Sequence, residues 1–232
     1  MTCRVLFLGN SLAGMLYQAK DDLAALPDHA CDWFVAPANN TFLIDPETTR
    51  ISVPDAYTEH EHSEATQLVG GRDGAAHACD YDVIIYSALG SRPPGKLLRE
   101  HTAYALSTSF VSEPLLRSLM LYSPGLVEVR GSLLALRAAG FKGRIICEPW
   151  IRPCALPRDF TQQGWDRFCA AEALRVAEIE AETGVETLAR LPGQEIMTDP
   201  DLLLDPEARG PHGNAAYAKQ MMKNVITRLE TV

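Results

Sequence analysis

Four short apolar runs, each bounded by turn or polar residues, punctuate the chain at residues 4–8, 32–36, 82–86 and 144–148. Runs of this length without polar alternation suit strands buried on both faces of a parallel sheet. Helical patterns lie between them. Residues 12–26 place Leu12, Leu16, Ala19 and Leu23 on one face, the stripe an amphipathic helix needs. Residues 94–106 open on proline and continue with Leu97, Leu98 and Ala103, and residues 112–122 open on Ser112 with Pro114 close behind, both helix-start signals. Residues 124–139 close at Gly140 and residues 161–183 at Gly184, the usual C-terminal glycine. Residues 214–231 supply the last helix. Strands alternating with helices predict βαβ units, and these predict an α/β fold with a parallel sheet covered on both faces.

The alternation breaks once. Residues 42–45 and 50–53 flank Pro46-Glu47-Thr48-Thr49 and read as a β-hairpin or a paired excursion. Residues 54–80 are polar, carry His60, His62 and Gly70-Gly71, and read as a surface loop with a short helix. With no internal repeat and no low-complexity linker, residues 1–232 form one domain.

Composition then narrows the class. Apolar residues make up 47% and charged residues 22%, ordinary values for a soluble globular protein. A formal charge of −9 argues against nucleic-acid and anionic-membrane partners, both of which need clustered Lys and Arg. Nothing approaches the roughly 18 apolar residues of a membrane helix. Val5 to Leu8 is too short for the apolar core of a signal peptide. The six cysteines are scattered without a C-x-x-C pair, and several lie in apolar runs such as Ile145-Ile146-Cys147. Reduced thiols in a cytoplasmic protein are the expectation.

Two segments carry chemistry. In Val5-Leu6-Phe7-Leu8-Gly9-Asn10-Ser11-Leu12 an apolar strand runs into Gly-Asn-Ser and a helix begins at once. A serine there stands at the C-terminal edge of a parallel sheet, where α/β folds place their sites. Its amide lies at a helix start, where unpaired donors favour negative charge. A plain helix cap would use the same residue type at the same place. The second segment, Gly210-Pro211-His212-Gly213-Asn214-Ala215-Ala216-Tyr217, holds a histidine in a Gly/Pro-rich loop ahead of the last helix.

Taken together, the two segments resemble the SGNH (GDSL-like) hydrolase superfamily. Gly9-Asn10-Ser11-Leu12 matches the family's first block, and His212-Gly213-Asn214-Ala215-Ala216-Tyr217 matches its last. The resemblance spans nearly the whole chain and implies a three-layer α/β/α sandwich with a central parallel, flavodoxin-like sheet. It also implies a serine esterase or deacylase: Ser11 attacks an acyl carbonyl while His212 takes its proton, and water clears the acyl-enzyme. The implied substrate is a small-molecule or carbohydrate ester, with no cofactor and no metal. An acyltransferase using the same Ser–His pair, or a non-catalytic carbohydrate-binding protein, is the alternative.

Three positions depart from the family pattern. The acid of many members lies three residues before the histidine, where this chain has Arg209. Asp205 is the expected substitute, ahead of Glu207 or a Ser–His dyad oriented by a backbone carbonyl. The third block keeps Gly90 but has Arg92 where an oxyanion-donating Asn is usual; an arginine can stabilise an oxyanion or bind a substrate anion. After the second strand the usual glycine is replaced by Pro37-Ala38-Asn39-Asn40. Ala38 is expected to supply the amide, with Asn39 or Asn40 the side-chain donor.

Other groups point less firmly to function. Glu59-His60-Glu61-His62 looks like a metal cluster but has no partner motif, and reads as a solvated charged loop. Trp150 and Arg152 follow the fourth strand and should border the pocket.

Overall fold

The computed structural model describes residues 2–36, 42–53, 67–69, 75–89, 106, 111–121, 124–149, 156, 160–189 and 213–231. The four apolar runs form strands: β1 (Cys3–Gly9), β2 (His29–Val35), β6 (Val83–Leu89) and β7 (Arg144–Pro149). The hairpin is present as β3 (Leu43–Ile44) paired antiparallel with β4 (Ile51–Ser52). Two short strands escaped the pattern, β5 (Gln67–Val69) and β8 (Glu186–Thr187). Three and two residues are too few to show a period.

The main sheet runs β5-β2-β1-β6-β7-β8. β1 pairs parallel with β2 along its whole length and with β6 from Val5 to Leu8. β7 and β8 continue the parallel set, and β5 closes the β2 edge antiparallel. Without that edge the order is the doubly wound 2-1-3-4-5 arrangement, in which ligands bind beyond the C-terminal strand ends.

The helices are α1 (Ser11–Tyr17), α2 (Glu113–Leu121), α3 (Pro124–Ala138), α4 (Gln162–Thr183) and α5 (Ala215–Leu229). The helix expected over residues 12–26 is split. α1 stops at Tyr17, and a 3₁₀ turn covers Lys20–Ala25. The chain must reverse here to start β2 at His29, and tighter bonds from Gln18 N to Met15 O and Ala19 N to Leu16 O begin the reversal. The apolar stripe survives it, because Ala19 and Leu23 still pack into the core below α1. The helix expected over residues 94–106 lies almost wholly outside the described residues.

Alternate residues of the central strands feed two cores. Phe7, Ile85 and Ile146 meet α1 and α5 on one face, while Leu8, Tyr86 and Cys147 meet α3 and α4 on the other. The result is a three-layer α/β/α sandwich. An isolated helix of seven residues is unstable in water. α1 persists because Leu12, Met15 and Leu16 are buried, at about 1.5–3 kcal/mol for each side chain. α2 and α4 share a smaller cluster, in which Leu116 joins Trp165 and Phe168.

The end opposite the candidate site is tied by charge. Arg144 at the start of β7 makes a two-pronged bond to Glu186 on β8 (2.9 and 3.0 Å), and Arg228 of α5 reaches the same carboxylate at 3.1 Å. The Arg144 hydrogen bonds first, and then the charges of Arg144 and Arg228, hold the Glu186 carboxyl below its ordinary range. No helix among the described residues is long and apolar enough to cross a membrane.

Candidate active site

Each residue of Gly9-Asn10-Ser11 has a separate physical task. Gly9 ends β1 where the sheet and α1 come closest: a Cβ built there would stand 2.7 Å from the Ser87 Cβ and 3.1 Å from the Ala13 Cβ. No larger residue fits without moving the strand or the helix. Asn10, 1% exposed, is the helix cap; its side-chain oxygen accepts from Leu12 N at 2.9 Å. Ser11 is the first helical residue and stays half-buried while Gly9, Asn10, Leu12 and Ala13 around it are buried. Capping thus falls to Asn10, not to the serine.

The C-terminal motif has the same design. Asn214 caps α5, accepting from Ala216 N at 2.9 Å and Tyr217 N at 3.2 Å. A Cβ on Gly213 would stand 2.4 Å from Tyr217 Cδ1 and 2.6 Å from Met15 Sδ. Met15 lies one turn beyond Ser11 on α1. The backbone immediately after His212 therefore touches the helix that Ser11 begins. His212 itself, Asp205, Ala38, Asn39, Gly90 and Arg92 lie outside the described residues, as do Asn40, Trp150, Arg152 and residues 59–62. The chain that leads to Ala38 and Asn39 leaves β2 beside the site, since Ala36 N donates to Gly9 O at 2.9 Å.

A third feature escaped the sequence reading. Ser87 on β6 pairs in register with Glu148 on β7. Their strand neighbours Ile85 and Ile146 face α1 and α5. Tyr86 and Cys147 face the other way. Strand alternation therefore turns Ser87 and Glu148 toward α1 and α5. Gly9, Ser87 and Glu148 form a row across three adjacent strands, directly behind the Ser11 turn. Glu148 is 0% exposed, and burial pushes its carboxyl up to about 8. The Ser87 hydroxyl lies near enough to temper that rise, yet neither group has a hydrogen bond of normal geometry among the described residues. The sequence signal was a lone carboxylate closing an otherwise apolar buried strand.

The thiols near this sheet are poor alternatives to Ser11 as nucleophile. Burial pushes Cys31 up to about 11 and raises Cys3 and Cys147 as well. A thiol must be a thiolate to attack.

No family model matches this sequence, and no curated protein matches it. Three solved structures are similar across most of their length. A lipase/acylhydrolase from Enterococcus faecalis is 12% identical, with 99% of this chain and 96% of that chain covered and a TM-score of 0.41. An acetyl xylan esterase is 10% identical, with 97% and 98% covered and a TM-score of 0.46. A DUF4886 family protein from Bacteroides uniformis is 12% identical, with 94% and 79% covered and a TM-score of 0.41.

Proposed function

We propose that this chain is a serine hydrolase of the SGNH type, an esterase or deacylase whose nucleophile is Ser11 and whose general base is His212. One observation carries this reading: Gly213, the residue bonded to His212, packs against Met15 on the helix that Ser11 opens. The residue that follows His212 thus lies against the helix that Ser11 opens. A serine opening a helix at the C-terminal edge of a parallel sheet, with the residue after a histidine packed on that helix, supports a reading of acyl transfer.

In this mechanism His212 accepts the Ser11 proton as Oγ attacks the ester carbonyl. The tetrahedral oxyanion is held by the Ser11 amide together with donors from Ala38, Asn39, Gly90 and Arg92. His212 then protonates the departing alcohol, and water repeats the sequence to release the acid. Asp205 is assigned to orient the imidazole. The substrate is a small-molecule or carbohydrate ester, and the compartment is reducing, in keeping with cysteines that are free among the described residues.

The test is labelling with a fluorophosphonate, alongside turnover of a short-chain nitrophenyl ester, for the wild-type chain and Ser11→Ala. Both activities should be present in the first protein and absent from the second. A folded wild type that neither labels nor turns over ester overturns the reading, as does labelling that persists in Ser11→Ala.

A further inference from the structure

Burying a carboxyl with no hydrogen bond is costly. In native structures such groups are rare and concentrate where chemistry uses them. Glu148 is 0% exposed and unpaired among the described residues. It closes β7 at the C-terminal edge, in register with Ser87, and Ser87 presses on Gly9 behind the nucleophile turn. Taking the hydrolytic reading of Ser11 as its basis, we propose that Glu148 is a positioning residue of that site, acting through Ser87 in its protonated form.

In its protonated form Glu148 places no charge in the sheet, at the strand end against which the Gly9 turn rests. Loss of the proton to solvent draws the Ser87 hydroxyl toward the carboxylate, as a donor that tempers its rise. It also sets a buried negative charge where Ser11 chemistry has to build an oxyanion. Glu148 and Gly9 are two strand spacings apart, about 10 Å. At an effective dielectric near 20, a unit charge at that distance slows oxyanion formation by about tenfold.

Among the described residues, few other ionisable groups share this surface. On α5 the Tyr217 phenol is buried, whereas Lys219 and Lys223 are exposed. On α1 the titratable residue is Tyr17, at the far end of the helix and bonded to Lys20. On the strands, Cys3 and Glu186 lie toward the opposite end, where Glu186 is held by Arg144 and Arg228.

The deciding experiment measures kcat and KM for a nitrophenyl ester from pH 6 to 10, with Ser11→Ala as the blank and circular dichroism at each pH. The wild type should lose about tenfold in kcat with a midpoint near 8 and little change in KM. Glu148→Gln keeps a donor but cannot ionise, so it should lose about threefold at pH 7 and show no alkaline fall. Ser87→Ala removes the group that tempers the carboxyl, and should move the midpoint upward. Tyr217→Phe should leave the alkaline fall in place. An active enzyme whose alkaline fall survives in Glu148→Gln, or vanishes in Tyr217→Phe, overturns the inference alone. If Glu148→Gln does not fold, an unmoved midpoint in Ser87→Ala overturns it. A wild type inert at every pH, with Ser11 unlabelled, overturns the hydrolytic reading and this inference with it.

Discussion

Gly9 and Ser87 approach so closely that a Cβ on the glycine would lie 2.7 Å from the Ser87 Cβ. The contact sets how deep α1 sits on the sheet, and so where Ser11 stands. Gly9→Ala should cost about 1–3 kcal/mol of stability, the usual range for overpacking. Its turnover should fall by tenfold or more, because a displacement of about 1 Å at a nucleophile is worth about that much or more. Urea unfolding and ester turnover on the same preparation check both numbers. A variant with full activity would show that the approach does not position the serine.

Asn10 and Asn214 are matched caps, but their surroundings differ. Asn10 is 1% exposed, whereas Asn214 is half-buried. Either Asn→Ala change should cost about 1 kcal/mol through the lost cap. Asn10→Ala should cost more, since it also leaves a cavity and an unpaired Leu12 amide in the core. Thermal unfolding of the two variants tests the order; equal losses would contradict it.

Glu148 makes a separate prediction about stability, independent of any substrate. Its carboxyl titrates near 4.5 when unfolded and at about 8 in the folded chain. The raised folded value means that its contribution is fully present below pH 4.5 and is lost as pH rises to about 8. The stability of Glu148→Gln relative to wild type should therefore grow between pH 5 and pH 8. The growth should be on the order of a few kcal/mol, at about 1.4 kcal/mol per pH unit. Urea unfolding at pH 5, 7 and 9 measures the gap; a constant gap would mean that Glu148 titrates normally.

Asp205→Asn addresses the assigned acid. If Asp205 orients His212, kcat should drop by about 10³- to 10⁴-fold with KM nearly unchanged, as in serine triads generally. Single-turnover acylation rates for Asp205→Asn and Glu207→Gln would decide between the two carboxylates. A full rate in Asp205→Asn removes it from the mechanism.

How much of this was legible in the sequence follows from length and from period. The four long strands and the helices closing at Gly140 and Gly184 announced themselves; both glycines have positive φ, 90° and 64°. β5 and β8 did not, because a strand of two or three residues is defined by its partner and not by its own pattern. The break after Tyr17 was hidden because its apolar stripe continues through the 3₁₀ turn. At the site, Gly9-Asn10-Ser11 was readable as a motif, but the division of labour within it was not. Only the structure gives the cap to Asn10. Glu148 showed only as a lone carboxylate closing an apolar strand; its burial and its register with Ser87 are tertiary facts that no local spacing encodes.

The packing of α1 against α5 joins segments about two hundred residues apart. Contacts across so long a span pay loop-closure entropy before they return any stability, which slows their formation. During synthesis the strands and α3 can assemble first, leaving the apolar side of α1 exposed until α5 has been made. A product without residues 213–229 would leave the helix that Ser11 opens beside an uncovered apolar surface. If the proposed chemistry holds, activity also reports that α5 has docked on α1.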